Sequence, residues 1–258
     1  MGYDQTVAEI FFHLAKKHPE FLARLTAVES AFADFEHELG FRVTSYYAKN
    51  SSCELAALCD KYGSDKGEIK PYGHPYPWPS HSYTDFYARL WSHCRHSVTK
   101  VFECGLGTNN PNLQSSMGAL GKPGASLRAW RDYFPNAMVY GADVDKDVLF
   151  SEERIETYYI DQLNPDIIKK FWEEIAEDNF DFIIDDGLHT FEAGSCLFLH
   201  SIDKLSPMGI YVIEDVNQTD LRRYKDFFRT KDFLVDYVTM YRPHLALNDN
   251  NLVAVRRR

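Results

Sequence analysis

Five short apolar segments of this chain run into acidic residues. VTKVFEC leads into Glu103-Cys104-Gly105-Leu106-Gly107, AMVYGAD ends on Asp143, and IETYYI meets Asp161-Gln162. FDFIID runs into Asp185-Asp186-Gly187-Leu188-His189, and GIYVIED closes on Glu214-Asp215. The glycines at 105 and 107 let backbone approach a ligand closely. The third glycine of a dinucleotide fingerprint is missing, because Thr108, Asn109 and Asn110 follow. A pyrophosphate cradle is therefore incomplete. Glu103, two residues before the first glycine, suits an ammonium better than a phosphate. A methionine-derived cofactor offers that ammonium, and a dinucleotide does not. Asp143 is placed to accept both ribose hydroxyls, with Asp145 as the backup and a plain helix cap as the bland reading. Asp161 and Gln162 fall where an adenine amine would lie.

The elements that must position these residues alternate. The apolar segments are β-branched or aromatic, and helical patterns separate them near 126–134, 165–177, 191–204 and 219–229. Buried strands alternating with helices imply a parallel sheet covered on both faces. Ligands in such sheets bind beyond the carboxyl ends of the strands, where these acids fall. FLVDYVTMYR and NLVAVRR follow without a helix between them and read as a closing hairpin. The expected fold is α/β: a Rossmann-like class I methyltransferase sheet, mostly parallel, with a C-terminal antiparallel hairpin and an N-terminal helical extension. The long connection TNNPNLQSSMGALGKPGA is expected to lie over the cofactor or acceptor.

Three segments are expected. Residues 1–59 read as a helical N-terminal extension, with a Thr6/Glu9 capping box and an apolar stripe from Phe21 to Phe35. Residues 60–97 hold a Pro-, Tyr- and His-rich stretch that is costly to order unless it covers a site. Residues 98–258 form the catalytic domain. A net charge of −10 argues against a nucleic-acid backbone as main partner. No apolar run reaches the roughly 18 residues of a membrane span. Five scattered cysteines without a CxxC pair, and no signal-peptide pattern, fit reduced thiols in a cytoplasm.

Tyr62-Gly63-Ser64-Asp65-Lys66-Gly67, His81-x-Tyr83-Thr84, ECGLG, GASLRAWRDYFP, DQ, IIDDGLH and YVIEDV occur in this order. Together they resemble the metal-dependent sugar O-methyltransferases of macrolide biosynthesis and related enzymes of bacterial polysaccharide clusters. The resemblance covers about residues 60–220. It implies S-adenosylmethionine as cofactor and Mg²⁺ (or Mn²⁺) held by Asp186, Glu214 and Asp215. It also implies His189 as general base, and Tyr62, Ser64 and Lys66 over the cofactor. The cofactor-binding set is then Glu103, Gly105, Gly107, Asp143, Asp161, Gln162 and Asp185 with those three. Leu188 departs from the small polar residue of the family, which bears on acceptor contacts. Mg²⁺ favours oxygen ligands, and three carboxylates supply half of an octahedral shell. An imidazole of ordinary pKa, about 6.5, suits proton removal at neutral pH.

The acceptor is expected to be a small molecule, a sugar or nucleotide sugar. Arg128, Arg242 and His244 are candidates for an anionic acceptor, with surface ion pairing as the equal alternative. Trp78 and Tyr83 either stack on a sugar or adenine or simply pack. Three rival readings remain: a phosphate- or amine-containing acceptor, an NAD-dependent oxidoreductase, and a non-catalytic glycan binder. The missing glycine and the hairpin weigh against the oxidoreductase, and the intact acid set weighs against the glycan binder. A homo-oligomer stays open.

Overall fold

The computed structural model describes residues 52–70, 72–240 and 248–258, together with the strand Val43–Tyr46. The helices expected before residue 43, and the candidates Arg242 and His244, lie outside the described residues. The chain divides into two compact units, Met1–Val43 and Thr44–Arg258. The second carries every strand from Lys100 onward and the helices that pack on them.

Nine strands form one sheet in the order β1-β8-β9-β7-β6-β2-β3-β5-β4. They are β1 (Val43–Tyr46), β2 (Lys100–Cys104), β3 (Met138–Asp143), β4 (Ser151–Glu152), β5 (Ile155–Tyr159), β6 (Phe180–Asp185), β7 (Leu205–Ile213), β8 (Phe233–Met240) and β9 (Asn251–Arg257). β2 lies between β3 and β6, parallel to both, and β7 extends the parallel set beside β6. β9 then runs antiparallel to β7 and to β8, which is the expected closing hairpin. The short β4, antiparallel to β5, adds an edge that the sequence pattern did not predict. Val43–Tyr46 is also strand rather than helix. Its β-branched and aromatic residues favour the pleated conformation.

Local signals set the helix ends. Asn164 caps Pro165–Ile175 through its side chain, and proline opens that helix. Thr190 and Asn217 cap Phe191–Ser201 and Gln218–Phe228 in the same way. The helix Glu54–Tyr62 crosses the boundary expected at residue 59 and packs on Ala125–Tyr133. On that face of the sheet Phe182, wholly buried, meets Tyr87, Trp130 and Trp91 at ring distances of 5.3–5.5 Å. On the other face Phe102 is wedged between Phe171 and Trp172, both at 5.0 Å. A two-sided aromatic core fixes the strand ends in register, so β2, β3, β6 and β7 present their following residues along one edge.

At the rim of this packing, Asp132 accepts hydrogen bonds from Tyr62 (2.5 Å), Lys61 (2.9 Å) and Arg131 (3.0 Å). Partial burial opposes its ionisation, but these donors outweigh that and hold its pKa down to about 2. A carboxyl depressed in the fold adds stability above its ordinary pKa and loses it as pH falls through the folded value. Asp132→Asn should therefore lower stability at pH 7 by about 0.5–1 kcal/mol, the range for a solvent-screened pair. The gap to the parent chain should close between pH 4 and 2 in denaturation curves. A deficit that persisted at pH 2 would mean the effect is not electrostatic. Phe182→Ala should cost about 3–5 kcal/mol in the same experiment.

Candidate active site

The acids gather along the carboxyl edge of the sheet; Asp143, Asp161, Asp186 and Asp215 reach the wall of a cavity of about 570 Å³, and Glu103, Asp185 and Glu214 do not. Gly105, Leu106, Gly107, Asp143, Asp161, Gln162, Asp186, His189 and Asp215 line it together. So do Ser64, Lys66 and Trp78 from the Pro-rich segment, and Thr108 and Asn112–Met117 from the long connection. Both segments thus contribute to the cavity wall.

The turn after β2 is tight. Gly105 has φ 96°, and a Cβ there would overlap the Asp186 carbonyl oxygen. Asp143 braces the turn: its Oδ2 accepts the Leu106 N–H and its Oδ1 the Asp145 N–H, each at 2.8 Å. Burial lifts the Asp143 pKa above the ordinary carboxylate range. Thr108 donates to Asp145, pinning the start of the long connection.

Glu103 meets an ammonium as expected, but it is that of Lys66, at 3.0 Å. Glu103 is fully buried, accepts the Trp130 indole N–H at 3.0 Å, and has no place on the cavity wall. The same Lys66 Nζ donates to Asp186 Oδ2 (2.5 Å) and to Glu214 Oε2. Tyr87 donates to the other Glu214 oxygen. Burial would drive the Lys66 pKa down, yet Asp186, Glu214 and Glu103 hold it well above the usual lysine value. Burial pushes the Glu214 carboxyl up.

Asp186, His189 and Asp215 form the candidate metal cluster, with donor atoms all within 4.8 Å. His189 Nε2 sits 3.2 Å from both Asp186 Oδ1 and Asp215 Oδ2. Tyr83 donates to Asp215 Oδ1 at 2.6 Å, and His81 Nδ1 approaches the same oxygen at 3.3 Å. Two carboxylates facing a cavity, with an imidazole beside them, offer oxygens suited to a divalent cation. The oxygens match Mg²⁺ preference, and the Lys66 ammonium and two histidines already lie against them. Desolvation opposes charge on His189, but Asp215, Asp186 and Asp185 outweigh it and push its pKa up to about 10. These neighbouring acids favour the imidazolium form, where the sequence reading took an imidazole of ordinary pKa.

Other expected residues are placed differently. Asp185 points away from the cavity, with its Oδ1 taken by the Gln162 amide, and burial raises its pKa to about 7. Gln162 Oε1 accepts the Leu188 N–H at 2.9 Å, so Gln162 positions the Asp186 loop as well as facing the cavity. Asp161 lines the cavity as expected. Tyr62 binds Asp132 and Arg131 at the rim and does not reach the cofactor side. Arg128 is held by Glu152 at 2.6 Å and lies over Phe150, outside the cavity wall. Tyr83 is buried with its ring on His81, so it holds Asp215 rather than offering a face to substrate. Ser64 lines the cavity, and its Oγ accepts the Lys66 N–H at 3.3 Å. Sequence reasoning gave no role to His81, Tyr87 or Asp65. The only signal was that His81 and Asp65 lie inside the quoted motifs.

No family model matches the chain. Curated relatives do. An 8-demethyl-8-α-L-rhamnosyl tetracenomycin-C 2′-O-methyltransferase of Streptomyces olivaceus is 32% identical over 162 residues, covering 63% of this chain and 37% of the relative. A demethylmacrocin O-methyltransferase of Streptomyces fradiae is 29% identical over 171 residues, covering 66% and 40%. The chain thus spans about two fifths of the length of these relatives. Among solved structures, the MycE methyltransferase of mycinamycin biosynthesis, in complex with Mg and SAH, superposes with a TM-score of 0.56 at 23% identity. It covers 81% of this chain and 55% of its own. The fold is that of the class I methyltransferases.

Gly105→Ala should destabilise the chain by more than about 1 kcal/mol, because both the left-handed backbone and the Asp186 carbonyl resist a side chain. Urea denaturation measures it. An unchanged midpoint would mean that the turn relaxes freely.

Proposed function

We propose that the chain is an S-adenosylmethionine-dependent O-methyltransferase acting on a hydroxyl of a sugar or nucleotide-linked sugar, in natural-product or surface-polysaccharide biosynthesis. Asp186, Glu214 and Asp215 would hold Mg²⁺ or Mn²⁺, and His189 would be the base. The observation that supports this reading most is the meeting of Asp186, His189 and Asp215 on one wall of the cavity that also holds the Gly105–Gly107 turn. The relatives, named as O-methyltransferases of glycosylated natural products, point the same way.

The cofactor supplies a methyl group on a sulfonium centre, and the metal supplies charge that orients the acceptor and eases loss of its proton. The chain's residues do the remainder. The Gly105–Gly107 backbone admits the cofactor closely, and Asp143 offers oxygens to ribose hydroxyls. Asp161 and Gln162 border the adenine end. With the cofactor bound, an acceptor hydroxyl would lie against its methyl group, and His189 Nε2 would take the hydroxyl proton as the methyl is transferred. That nitrogen is held for the task between two carboxylates. A cation held by Asp186 and Asp215 would offset the negative field at His189 and so favour its neutral form. Alignment of acceptor and methyl supplies much of the acceleration.

Calorimetry should detect S-adenosylhomocysteine binding and no NAD binding; the reverse result would end the methyltransferase reading. With labelled methyl donor and a panel of nucleotide sugars and glycosides, EDTA should abolish turnover and Mg²⁺ or Mn²⁺ restore it. His189→Ala should lower kcat by about 10²–10⁴-fold, the range for a general base. The KM for the methyl donor should stay near the parent value. Wild-type turnover in that variant would assign proton removal to another group.

A further inference from the structure

The Lys66 side chain is buried, 2% exposed, and its ammonium contacts carboxylates from the ends of three strands. It lies 2.5 Å from Asp186 Oδ2 and 3.0 Å from Glu103 Oε1, and it donates to Glu214 Oε2. Two of these three carboxylates belong to the metal-holding set proposed above. Their second oxygens are also engaged: Asp186 Oδ1 by His189, Glu214 Oε1 by Tyr87. Asp215 is held by Tyr83, His81 and His189 instead.

The ammonium is delivered there by a braced loop. His74, Tyr76 and Trp78 alternate with Pro75, Pro77 and Pro79, and their rings stack at 4.9 and 5.9 Å. Each polar tip ties back to residues 64–68. His74 Nε2 lies 2.8 Å from Glu68, Tyr76 OH donates to the Ser64 carbonyl (3.5 Å), and Trp78 Nε1 donates to Asp65 (2.6 Å). From the other side the Thr84 N–H donates to the Lys66 carbonyl at 3.0 Å, and Thr84 leaves no room for a Cβ at Gly67. Four side-chain and backbone ties on a five-residue loop fix where its lysine points.

We propose that Lys66 is a positioning residue whose ammonium competes with the divalent cation for Asp186 and Glu214, so that the chain holds its metal loosely and exchangeably. This rests on the metal reading given above. A divalent ion that takes an oxygen from either acid must displace the ammonium or sit beside it, and like charges at such separations repel strongly in a buried site. Without the ammonium, Glu103, Asp186 and Glu214 face one another uncompensated, and an incoming cation relieves that repulsion. Removing Lys66 therefore tightens metal binding, whereas losing a residue that only supports the fold would weaken it.

Isothermal calorimetry with Mg²⁺ and with Mn²⁺ on the full chain, its Lys66→Met and its Lys66→Arg variants tests this. Lys66→Met should bind either ion about tenfold or more tightly than the parent, and Lys66→Arg should not gain. Equal or weaker binding by Lys66→Met overturns the competition. If the parent binds Mg²⁺ and the variant gains nothing, only the competition fails. If neither binds, the metal reading fails and takes the competition with it. A second measurement does not depend on the variant folding. In the wild-type chain, reductive methylation of Lys66 followed by mass spectrometry should rise on adding Mg²⁺, because the ion releases the amine from its carboxylates. Labelling that stays level or falls overturns the proposal.

Discussion

Carboxylates brought together at the buried end of a parallel sheet repel one another, and each must find a compensating group within the fold. Taking a charge from water costs several kcal/mol unless it is paired and hydrogen-bonded. Glu103 lies against Lys66 and the Trp130 indole, and Glu214 against Lys66 and Tyr87. Asp215 lies against Tyr83 and two histidines. The donors come from four places: the Lys66 loop, the segment around residues 81–87, the Ala125–Tyr133 helix, and the loop after β6 that carries His189. Those elements sit where they do because the acids must be met. The compensation is incomplete at Asp185: its Oδ1 accepts the Gln162 amide and the Gly187 N–H, its Oδ2 has no hydrogen-bond partner among the described residues, and burial raises its pKa to about 7. The site is thus an anionic cluster held by a few organic cations, and such a cluster is receptive to a metal ion.

The Pro-rich segment follows the same logic. Alternating prolines restrict φ at every second residue, so the chain loses little further freedom on ordering. The rings between them fall on one side and form a ladder over the 64–68 loop. A stretch with no regular hydrogen bonding of its own becomes rigid by binding to a loop that carries a charge. That joins two features which look unrelated in sequence, the aromatic run and the Ser64-Asp65-Lys66 motif.

The sheet was legible because its strands are buried on both faces and read as short apolar runs, and because acids follow those runs at the ligand-binding edge. The hairpin was legible because no helical pattern separates its two apolar runs in the sequence. Less legible was which acid faces the cavity and which faces inward. Asp185 and Asp186 are neighbours in sequence, yet Asp185 is buried against the Gln162 amide and only Asp186 reaches the cavity wall. Glu103 and Lys66, 37 positions apart, found each other only in the folded chain, since no spacing rule links residues on different elements. Tyr62 was read as a cofactor contact from the resemblance alone, and Arg128 was left between an anionic acceptor and a surface ion pair. Their carboxylate partners Asp132 and Glu152 lie nearby in space and claim them. The β4 edge carried no signal because two exposed residues show no periodicity.

Backbone geometry shows where the site constrains the fold most. His189 and Asp215 both adopt left-handed conformations, with φ 56° and 52°, although neither is glycine. Such residues cost about 1–3 kcal/mol each and persist only where their surroundings over-determine them. Here the surroundings are the site itself. His189 turns so that one ring nitrogen lies equidistant from Asp186 and Asp215, and Asp215 turns so that its two oxygens face Tyr83 and His189 separately. The turn before His189 is held by the Leu188 N–H on Gln162, a backbone bond indifferent to the side chain at 188. That accounts for how a leucine stands where a small polar residue was expected without disturbing the acids or the histidine. Its side chain borders the cavity and changes only what lies against it. Strain at 189 and 215, and tolerance at 188, mark the boundary between what the chemistry fixes and what the acceptor is free to select.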